Sequence, residues 1–352
     1  MNNRSLVITP WLEGGGAQKA LENILSSLSH PELIDIVILF SGSRNFKPLQ
    51  YPGRRITQLG CPRTPTGAAK AAWRLNKIVR HYPRVYSLMR GSHVVLGMLP
   101  SKALQNVELA ATFHQLPKPE GQTTVGRVEQ VAIKRALKNA QLVTSPSRRG
   151  VDEITKLKLA SPAATLHEPN LVATSSIPLV EPRRHIEGPL RLLFCGRITD
   201  QKGLDQISDL TRRTTQPLHF RIIGNGPERE KLQSTLRPSD TIRIEFLEHV
   251  DDVTPHVDWC DAIFMPSREE LRPMFVQEAW ARGRSGIVSN IPAFVDLAKE
   301  GQLAIYSNRE DFELTLKSTV LDYAWRAQAF HRAQRGTDRS ASWVGHFLEG
   351  AM

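Results

Sequence analysis

The sequence predicts an α/β protein with two domains, each built around a parallel β-sheet. Short runs of β-branched and apolar residues alternate with helical patterns throughout the 352 residues, which is typical of parallel sheets. This length exceeds one ordinary domain and fits two of about 150 to 180 residues each. A segment with three prolines and one glycine, residues 178–189, separates two series of strands as an interdomain linker would.

The predicted strands fall into one series before this segment and one after it. The first comprises 6–9, 36–40, 55–59, 94–98, 108–113, 142–145 and 164–167, and the second comprises 191–195, 219–223, 243–246, 262–265, 286–289 and 304–306. We therefore expect a first domain over residues 1–180, a linker over 181–189 and a second domain from residue 190. Ligands of parallel sheets bind at the carboxyl ends of the strands, so we expect the site in a central cleft between the domains.

The composition excludes several classes of protein. No apolar run reaches the ~18 residues that a membrane-spanning helix needs. The N-terminus lacks the apolar region and cleavage site of a secretory signal, so a cytoplasmic protein is expected. Cys61, Cys195 and Cys260 are odd in number and far apart, which indicates neither a disulfide framework nor a zinc site.

The net charge of +11 is concentrated in the first half of the chain. Residues 1–185 contain 25 Lys and Arg against 11 Asp and Glu, whereas residues 186–352 contain 21 against 24. Between Ile36 and Val107 there are twelve bases and no acid. Such an asymmetry concerns partners rather than fold, so we expect something anionic to meet the first domain.

Three glycines, Gly14, Gly15 and Gly16, follow the first predicted strand and precede a helical pattern. Glycines let the backbone approach a ligand closely, and a helix N-terminus offers unpaired N–H groups to a phosphate. A flexible turn is the alternative interpretation of the same residues.

The segment from Gly196 to Gly203 places Arg197 and Lys202 after the first strand of the second domain. A guanidinium and an ammonium together can neutralise a diphosphate leaving group without a cation. The chain contains no Asp-x-Asp pair, on which metal-dependent sugar transfer commonly relies. The alternative is two surface bases near a loop.

Two further strand ends are weaker signals. Gly224 opens a Gly-x-Gly-Pro turn, and the Pro fits a helix start. Residues 246–250, which end at Val250, could offer backbone groups to a nucleobase edge.

Two carboxylates, Glu270 and Glu278, are separated by seven residues in the most specific segment of the chain. Pro273 marks the start of a helix, so Glu270 lies in the preceding loop and Glu278 lies over one turn inside. Carboxylates accept paired hydrogen bonds from vicinal hydroxyls, as on a ribose or a hexose. Solvated helix acids are the alternative.

Two features of the first domain complete the candidate site. His114 ends a predicted strand, where it could touch a reacting sugar or serve a structural role. Lys70, Arg74 and Lys77 share one helical face, which could dock on anionic lipid, on a phosphate-bearing acceptor, or simply face solvent.

Taken together, these residues resemble the family 4 glycosyltransferases of the retaining GT-B class, in the right order over nearly the whole chain. The resemblance implies two Rossmann-like domains, with a second domain over 190–337 and a C-terminal helix over 338–352 that joins the first. It implies a glycine-rich loop at Gly15 and Gly16, and a diphosphate clamp formed by Arg197 and Lys202.

The resemblance also assigns residues to the donor and the reacting sugar. It implies that Glu278 binds the ribose, that Glu270 contacts the donor sugar, and that His114 lies beside that sugar. Donor contacts are further expected at Gly196, Gly224, Val250, Met274 and Phe275. The sequence departs from the family where Leu271 and Arg272 follow Glu270, and where Asn170 begins an altered interdomain segment.

These expectations describe an enzyme that moves a hexose from a UDP- or GDP-sugar to a glycan or glycolipid, in cell-surface polysaccharide or lipopolysaccharide synthesis. Transfer would retain anomeric configuration, need no metal or cofactor, and occur in the cytoplasm or at the inner face of the plasma membrane. A nucleotide-sugar epimerase or phosphorylase is an alternative. A basic nucleic-acid-binding protein is another, although no nucleic-acid motif supports it.

Overall fold

The computed structural model describes residues 4–12, 15–42, 55–117, 124–172, 177–212, 214–335 and 342–351. The chain forms two compact units. The first contains Met1–Leu171 and Arg339–Met352, and the second contains Val172–Asp338. The first unit therefore ends nine residues before the predicted position 180, and residues 181–189 lie within the second unit.

Within the described residues, the sheet of the first unit has seven parallel strands in the order β3-β2-β1-β4-β5-β6-β7. The strands are β1 (Ser5–Thr9), β2 (Ile34–Phe40), β3 (Ile56–Cys61), β4 (Arg84–Leu88), β5 (Glu108–Thr112), β6 (Leu142–Ser145) and β7 (Thr165–His167). The helices are α1 (Gly16–Ser27), α2 (Pro65–Val79), α3 (Met89–Gly97), α4 (Thr124–Leu137), α5 (Arg148–Lys156) and a C-terminal helix (Trp343–Glu349).

Apolar side chains of this sheet alternate between two cores. Leu6 and Ile8 of β1 pack with α2, α3, α4 and α5, whereas Val7 packs with α1 and the C-terminal helix. This alternation follows from the two-residue period of a strand, and it buries both faces of the sheet.

The strand predicted at 94–98 is wrong, because these residues end α3, and β4 was not predicted. A short apolar run does not distinguish a buried strand from a buried helix. The helix is favoured because Gly97 packs against α4, where a Cβ atom would lie 1.9 Å from the carbonyl oxygen of Ala132. The other predicted strands of both units are confirmed to within about two residues at each end.

Within the described residues, the sheet of the second unit has six parallel strands in the order β10-β9-β8-β11-β12-β13. The strands are β8 (Leu190–Cys195), β9 (Leu218–Ile223), β10 (Ile242–Leu247), β11 (Ala262–Met265), β12 (Ser285–Ser289) and β13 (Leu303–Tyr306). The helices are α6 (Ile207–Thr211), α7 (Arg229–Thr235), α8 (Thr254–Trp259), α9 (Met274–Ala281), α10 (Pro292–Ala298), α11 (Arg309–Thr315) and α12 (Tyr323–Gln334).

Two buried arginines explain why the proline-rich segment belongs to the second unit. Arg282 donates to the carbonyls of Ile177 and Pro178, both at 2.7 Å, and its guanidinium also pairs with a carboxylate. Arg284 donates to the carbonyl of Val180 at 2.7 Å. These charge-assisted bonds fasten residues 177–180 to the second unit.

Candidate active site

The strand order of each sheet reverses at one point, and the predicted site residues follow strands at or near it. In the second sheet the reversal lies between β8 and β11, which are adjacent although 66 residues separate their ends in the sequence. Lys202 follows β8 and Glu270 follows β11. Open α/β sheets bind ligands outside such switch points, at the carboxyl ends of the strands.

Lys202 and Glu270 form an ion pair, with Nζ 2.5 Å from Oε1. Their side chains are 18% and 7% exposed, so the pair is largely buried. Gly203 adopts the left-handed conformation at φ +65°, and a Cβ atom there would lie 2.1 Å from the carbonyl oxygen of Pro266. The loops after β8 and β11 therefore approach each other closely. Their approach brings together Lys202, predicted to bind the diphosphate, and Glu270, predicted to contact the donor sugar.

A second donor fixes the same oxygen of Glu270. The hydroxyl of Ser267, a residue only 1% exposed, donates to Oε1 at 3.0 Å, and the hydroxyl of Ser289 donates to the Ser267 carbonyl at 2.5 Å. Within the described residues, Oε2 of Glu270 has no hydrogen-bond partner. The protein thus holds one carboxylate oxygen of Glu270, and the described residues leave the other without a hydrogen bond.

Arg197, the other predicted clamp residue, differs from Lys202. It is exposed, and its guanidinium makes no hydrogen bond or ion pair with any described residue. A free guanidinium can make two parallel hydrogen bonds to a phosphate, which a paired one can make only after breaking its existing contacts.

The predicted donor-binding glycines have a packing role. Gly224 has φ +135°, and a Cβ atom there would lie 2.0 Å from the carbonyl oxygen of Gly196. The same two loops are joined by a hydrogen bond from the Ile198 amide to the Asn225 carbonyl, at 2.8 Å. The glycine turn therefore supports the loop that carries Arg197.

The sequence did not identify Arg229, which secures this turn from α7. Its guanidinium donates to the carbonyls of Gly224, at 2.5 Å, and Leu247, at 2.8 Å, and pairs with Glu248. It thereby joins the ends of β9 and β10. Nearby Val250 is half-buried against the core of this unit.

The second predicted carboxylate lies on α9, whose start at Met274 confirms the expected role of Pro273. Glu278 is half-buried and lies close enough to Cys195 to act on that thiol. Burial, with a smaller contribution from the charge of Glu278, raises the pKa of Cys195 to about 12. The structure thus brings the charge of Glu278 near the end of β8, and its predicted contact with the ribose stays a prediction.

Two neighbours of this site are less accessible than the resemblance implies. Met274 and Phe275 are each 6% exposed, and the side chain of Phe275 packs into the core of this unit. Arg272, expected to add a charge near the donor, makes two hydrogen bonds to Glu300 at 2.7 and 2.9 Å. Its charge is thereby neutralised within the protein.

In the first unit, α1 begins at Gly16 with Gly15 as its extended N-cap residue, as the glycine-loop prediction requires. Gly14 lies outside the described residues. The first turn of α1 carries no acidic residue. An acid there would repel a phosphate, so this helix start is compatible with the predicted anion contact.

His114 follows β5 and reaches a crevice of the first unit. Its Nε2 is buried and has no hydrogen-bond partner within the described residues. Burial lowers the pKa of His114 to about 4, so the imidazole is neutral at physiological pH. The crevice is also lined by Glu168 and by Asn170, where the altered segment begins, and the last residue of that segment, Ala173, lies outside the described residues.

The predicted basic face of α2 is only partly available. Lys70 and Lys77 are exposed, but Arg74 is half-buried and donates to the carbonyl of Leu59. This correction follows from the length of the arginine side chain, which reaches the neighbouring strand. Trp73 adds an unexpected feature, because it is 62% exposed and lies 4.0 Å from the Lys77 ammonium.

Two classes of feature are absent from the described residues. No group of three or more His, Cys, Asp or Glu side chains is arranged there as metal ligands would be. None of the helices in the described ranges combines the length and apolar content needed to cross a lipid bilayer.

Residues 189–321, which lie in the second unit, match the model of the family "Glycosyl transferases group 1". The chain is 28% identical over 130 residues to the O-antigen biosynthesis glycosyltransferase WclY of Escherichia coli. That alignment covers 36% of this chain and 34% of the relative, so the chain matches about a third of the relative's length.

Two solved structures resemble nearly the whole chain. The lipopolysaccharide outer core galactosyltransferase WaaB, in its apo form, has a TM-score of 0.70 and 17% identity, over 98% of this chain and 97% of that one. Alr3699/HepE of Anabaena, in complex with UDP-glucose, has a TM-score of 0.74 and 15% identity, over 94% of each chain. The chain has the GT-B architecture of two Rossmann-like domains, which confirms the predicted fold class.

Proposed function

We propose that this protein transfers a hexosyl group from a UDP- or GDP-sugar to a glycan or glycolipid acceptor of cell-surface polysaccharide or lipopolysaccharide synthesis. The observation that carries the proposal is the Lys202–Glu270 pair at the switch point of a glycosyl transferases group 1 domain. WclY and WaaB are named for O-antigen and lipopolysaccharide synthesis, which supports this acceptor class.

The charges of the site suit a diphosphate leaving group. An ammonium has three donors, and Lys202 uses one on Glu270, so two remain for phosphate oxygens. Arg197 supplies, on the same loop, a guanidinium that no described residue pairs. Fixed donors of this kind stabilise the charge that develops when the sugar–phosphate bond breaks.

The sugar would be held by the carboxylates. Oε2 of Glu270 is the oxygen left to accept hydrogen bonds from hexose hydroxyls, while Glu278 on α9 would accept those of the ribose. Transfer with retention then breaks the bond between the anomeric carbon and the phosphate oxygen and forms the bond to the acceptor oxygen on the same face. The departing phosphate oxygen takes the acceptor proton, so these residues supply positioning and charge rather than a base.

A ligand panel followed by a transfer assay tests this proposal. Binding at about 100 times the dissociation constant adds about 2.7 kcal/mol of stability, so a matching nucleotide sugar should raise the melting temperature measurably. The same sugar, radiolabelled, should pass to lipid-linked or lipopolysaccharide acceptor extracts in EDTA. Turnover of the donor to an epimer, or activity that requires magnesium or manganese, would overturn the mechanism.

We propose further that the first unit docks peripherally on an anionic membrane. Besides Lys70, Lys77 and Trp73 of α2, it exposes a row of valines on α4: Val125, Val128 and Val131, at 59%, 64% and 69%. Exposed bases on α4 are Arg127, Lys134 and Arg135, and the exposed Lys138 follows its end. Apolar side chains beside bases are typical of helices that lie at a membrane interface.

Sedimentation with vesicles tests this docking. Wild-type protein should bind phosphatidylglycerol vesicles and lose binding in high salt, and a Val128→Asn/Val131→Asn variant should bind several-fold less. Leu314→Asn, at a residue 63% exposed in the second unit, is the matched control. Equal binding to neutral and anionic vesicles would refute docking on an anionic membrane. A soluble acceptor would then be the partner of these residues.

A further inference from the structure

A crevice in the first unit contains two buried polar atoms that lack partners. Its walls include His114 after β5, Glu168 after β7 and Ser342 before the C-terminal helix. Nε2 of His114 and Oε2 of Glu168 are both buried without a hydrogen bond among the described residues. Buried polar atoms are nearly always satisfied, so two in one crevice indicate a group that bonds both.

The two oxygens of Glu168 have different tasks. Oε1 accepts from the Ser342 hydroxyl at 2.6 Å and from the Val344 amide at 3.2 Å. These bonds fasten the start of the C-terminal helix to the residue that follows β7. Since these donors occupy Oε1, Oε2 is the oxygen available inside the crevice.

The two nitrogens of His114 also differ. Nε2 is buried without a hydrogen bond among the described residues, so the bond that forms at Nε2 would decide the role of Nδ1. A neutral imidazole has one donor and one acceptor nitrogen, and the hydrogen bond at one nitrogen decides the role of the other. Burial keeps the His114 pKa low, so the neutral form is the relevant one.

The other hydroxyls in the crevice wall mostly bond to one another. The Tyr86 hydroxyl donates to Thr112 Oγ1 at 2.9 Å, and Thr112 Oγ1 is 2.7 Å from Thr144 Oγ1. Burial raises the pKa of Glu168, and the nearby Thr144 hydroxyl is among the groups that lower it, but no hydrogen bond from a described residue reaches Oε2. The crevice has room for about one further hydroxyl or water.

We propose that a single hydroxyl group bridges Glu168 Oε2 and His114 Nε2, and that Glu168 thereby acts as the positioning residue for His114. The hydroxyl donates its hydrogen to the carboxylate, and its oxygen accepts from Nε2–H. His114 is then the Nε2–H tautomer, and Nδ1 presents an acceptor to a sugar hydroxyl. The contact between Nδ1 and a sugar hydroxyl rests on the proposed sugar transfer. The Nε2–H tautomer does not depend on that proposal.

Water and a substrate hydroxyl could form the same two hydrogen bonds here. They are distinguished by whether the Nε2–H tautomer is present before substrate is added. With selective ¹⁵N-histidine labelling, the His114 signals can be assigned by their loss in His114→Asn. The Nε2–H pattern in the substrate-free protein identifies water as the bridge. Its appearance only after the nucleotide sugar or acceptor is added identifies a substrate hydroxyl.

Glu168→Gln is the decisive variant. Its amide oxygen can keep the bonds to Ser342 and Val344, which places the NH₂ group where Oε2 was. A donor in that position reverses the bridge, so the His114 signals should change to the Nδ1–H pattern. Transfer should fall by about tenfold to a hundredfold in kcat, the range typical when a ligand's orienting partner is lost. Unchanged histidine signals in Glu168→Gln would overturn the proposal.

A matched control separates positioning from helix docking. The Ser5 hydroxyl donates to the carbonyl of Leu348 at 2.7 Å, so Ser5→Ala loosens the same helix without touching the crevice. It should lower the melting temperature and leave the His114 tautomer and kcat unchanged. If Ser5→Ala changes the tautomer as Glu168→Gln does, the effect is one of docking and the proposal fails. If no sugar transfer is found at all, the tautomer readout still stands.

Discussion

The two units differ in the polar groups that follow their strands at the candidate site. In the second unit these groups include the ion pairs Lys202–Glu270 and Arg272–Glu300, and the Arg197 guanidinium has no partner among the described residues. In the first unit, neutral and weakly charged groups are buried, and His114 Nε2 and Glu168 Oε2 have no protein partner there. The contrast is consistent with the proposed binding of a diphosphate by the second unit and of a hydroxyl by the first.

The largest expected effect is on turnover when a clamp cation is removed. Lys202→Ala and Arg197→Ala should each reduce kcat by about a hundredfold or more, as when a key electrostatic donor is lost. Lys202→Ala should be worse, because it also leaves the buried Glu270 charge unpaired. Steady-state kinetics measures both, with exposed Lys231→Ala as the control. Near-normal transfer in both variants would refute the clamp.

Next in size is the loss of stability when the interlocked loops are forced apart. Gly224→Ala places a Cβ atom 2.0 Å from the Gly196 carbonyl oxygen at φ +135°, and should cost about 2 kcal/mol or more. Gly188→Ala, at φ +82° with open space around it, isolates the conformational cost of about 1 kcal/mol. Denaturant unfolding compares them, and equal losses would show that the contact with Gly196 is unimportant.

Buried histidines should make the first unit acid-sensitive. Burial lowers the pKa of His93 to about 3 and of His114 to about 4, whereas an unfolded histidine titrates near 6.5. Between about pH 6.5 and 4 the unfolded chain binds more protons, so the free energy of unfolding falls as pH falls. The slope is at most about 1.4 kcal/mol per pH unit for each histidine.

The variant His114→Asn should reduce the slope of the free energy of unfolding against pH by the contribution of one histidine. Denaturant unfolding at several pH values measures this slope. Exposed His185→Gln should leave it unchanged. A wild-type protein whose stability is constant from pH 6.5 to 4 would contradict the burial of both side chains.

The smallest predicted effect concerns the orientation of Glu270. Ser267→Ala removes one donor from Oε1 while Lys202 remains, so kcat/KM should fall by about tenfold, which corresponds to ~1.4 kcal/mol. Ser234→Ala, an exposed serine of the same unit, is the control. A larger loss than in Lys202→Ala would mean that Ser267, and not the cation, is the main support of Glu270.

Much of this arrangement was accessible from the sequence. The alternating pattern located most strands, Pro273 located the start of α9, and residue chemistry singled out Arg197, Lys202 and the two glutamates. Sequence spacing does not show which strand ends are neighbours, so the contact between Lys202 and Glu270 was not anticipated. It depends on β8 lying beside β11.

Other misses have different physical reasons. Residues 94–98 form an apolar run that is compatible with either a strand or a helix. Only the packing of these residues against α4 decides between the two. Arg282 and Arg284 look like surface bases, yet they are 5% and 1% exposed and bind backbone carbonyls that no side-chain pattern reveals. Glu168 was passed over because a lone acid after a strand carries no spacing signal.

The close contacts at Gly203 and Gly224 have a consequence for changing donor preference by protein engineering. The loop after β8 meets the loop after β11 through Gly203, and it meets the turn after β9 through Gly224. A transplant of one loop from another transferase would import a backbone shape that its two neighbours were not selected to fit. Grafts of this site should therefore exchange all three segments together.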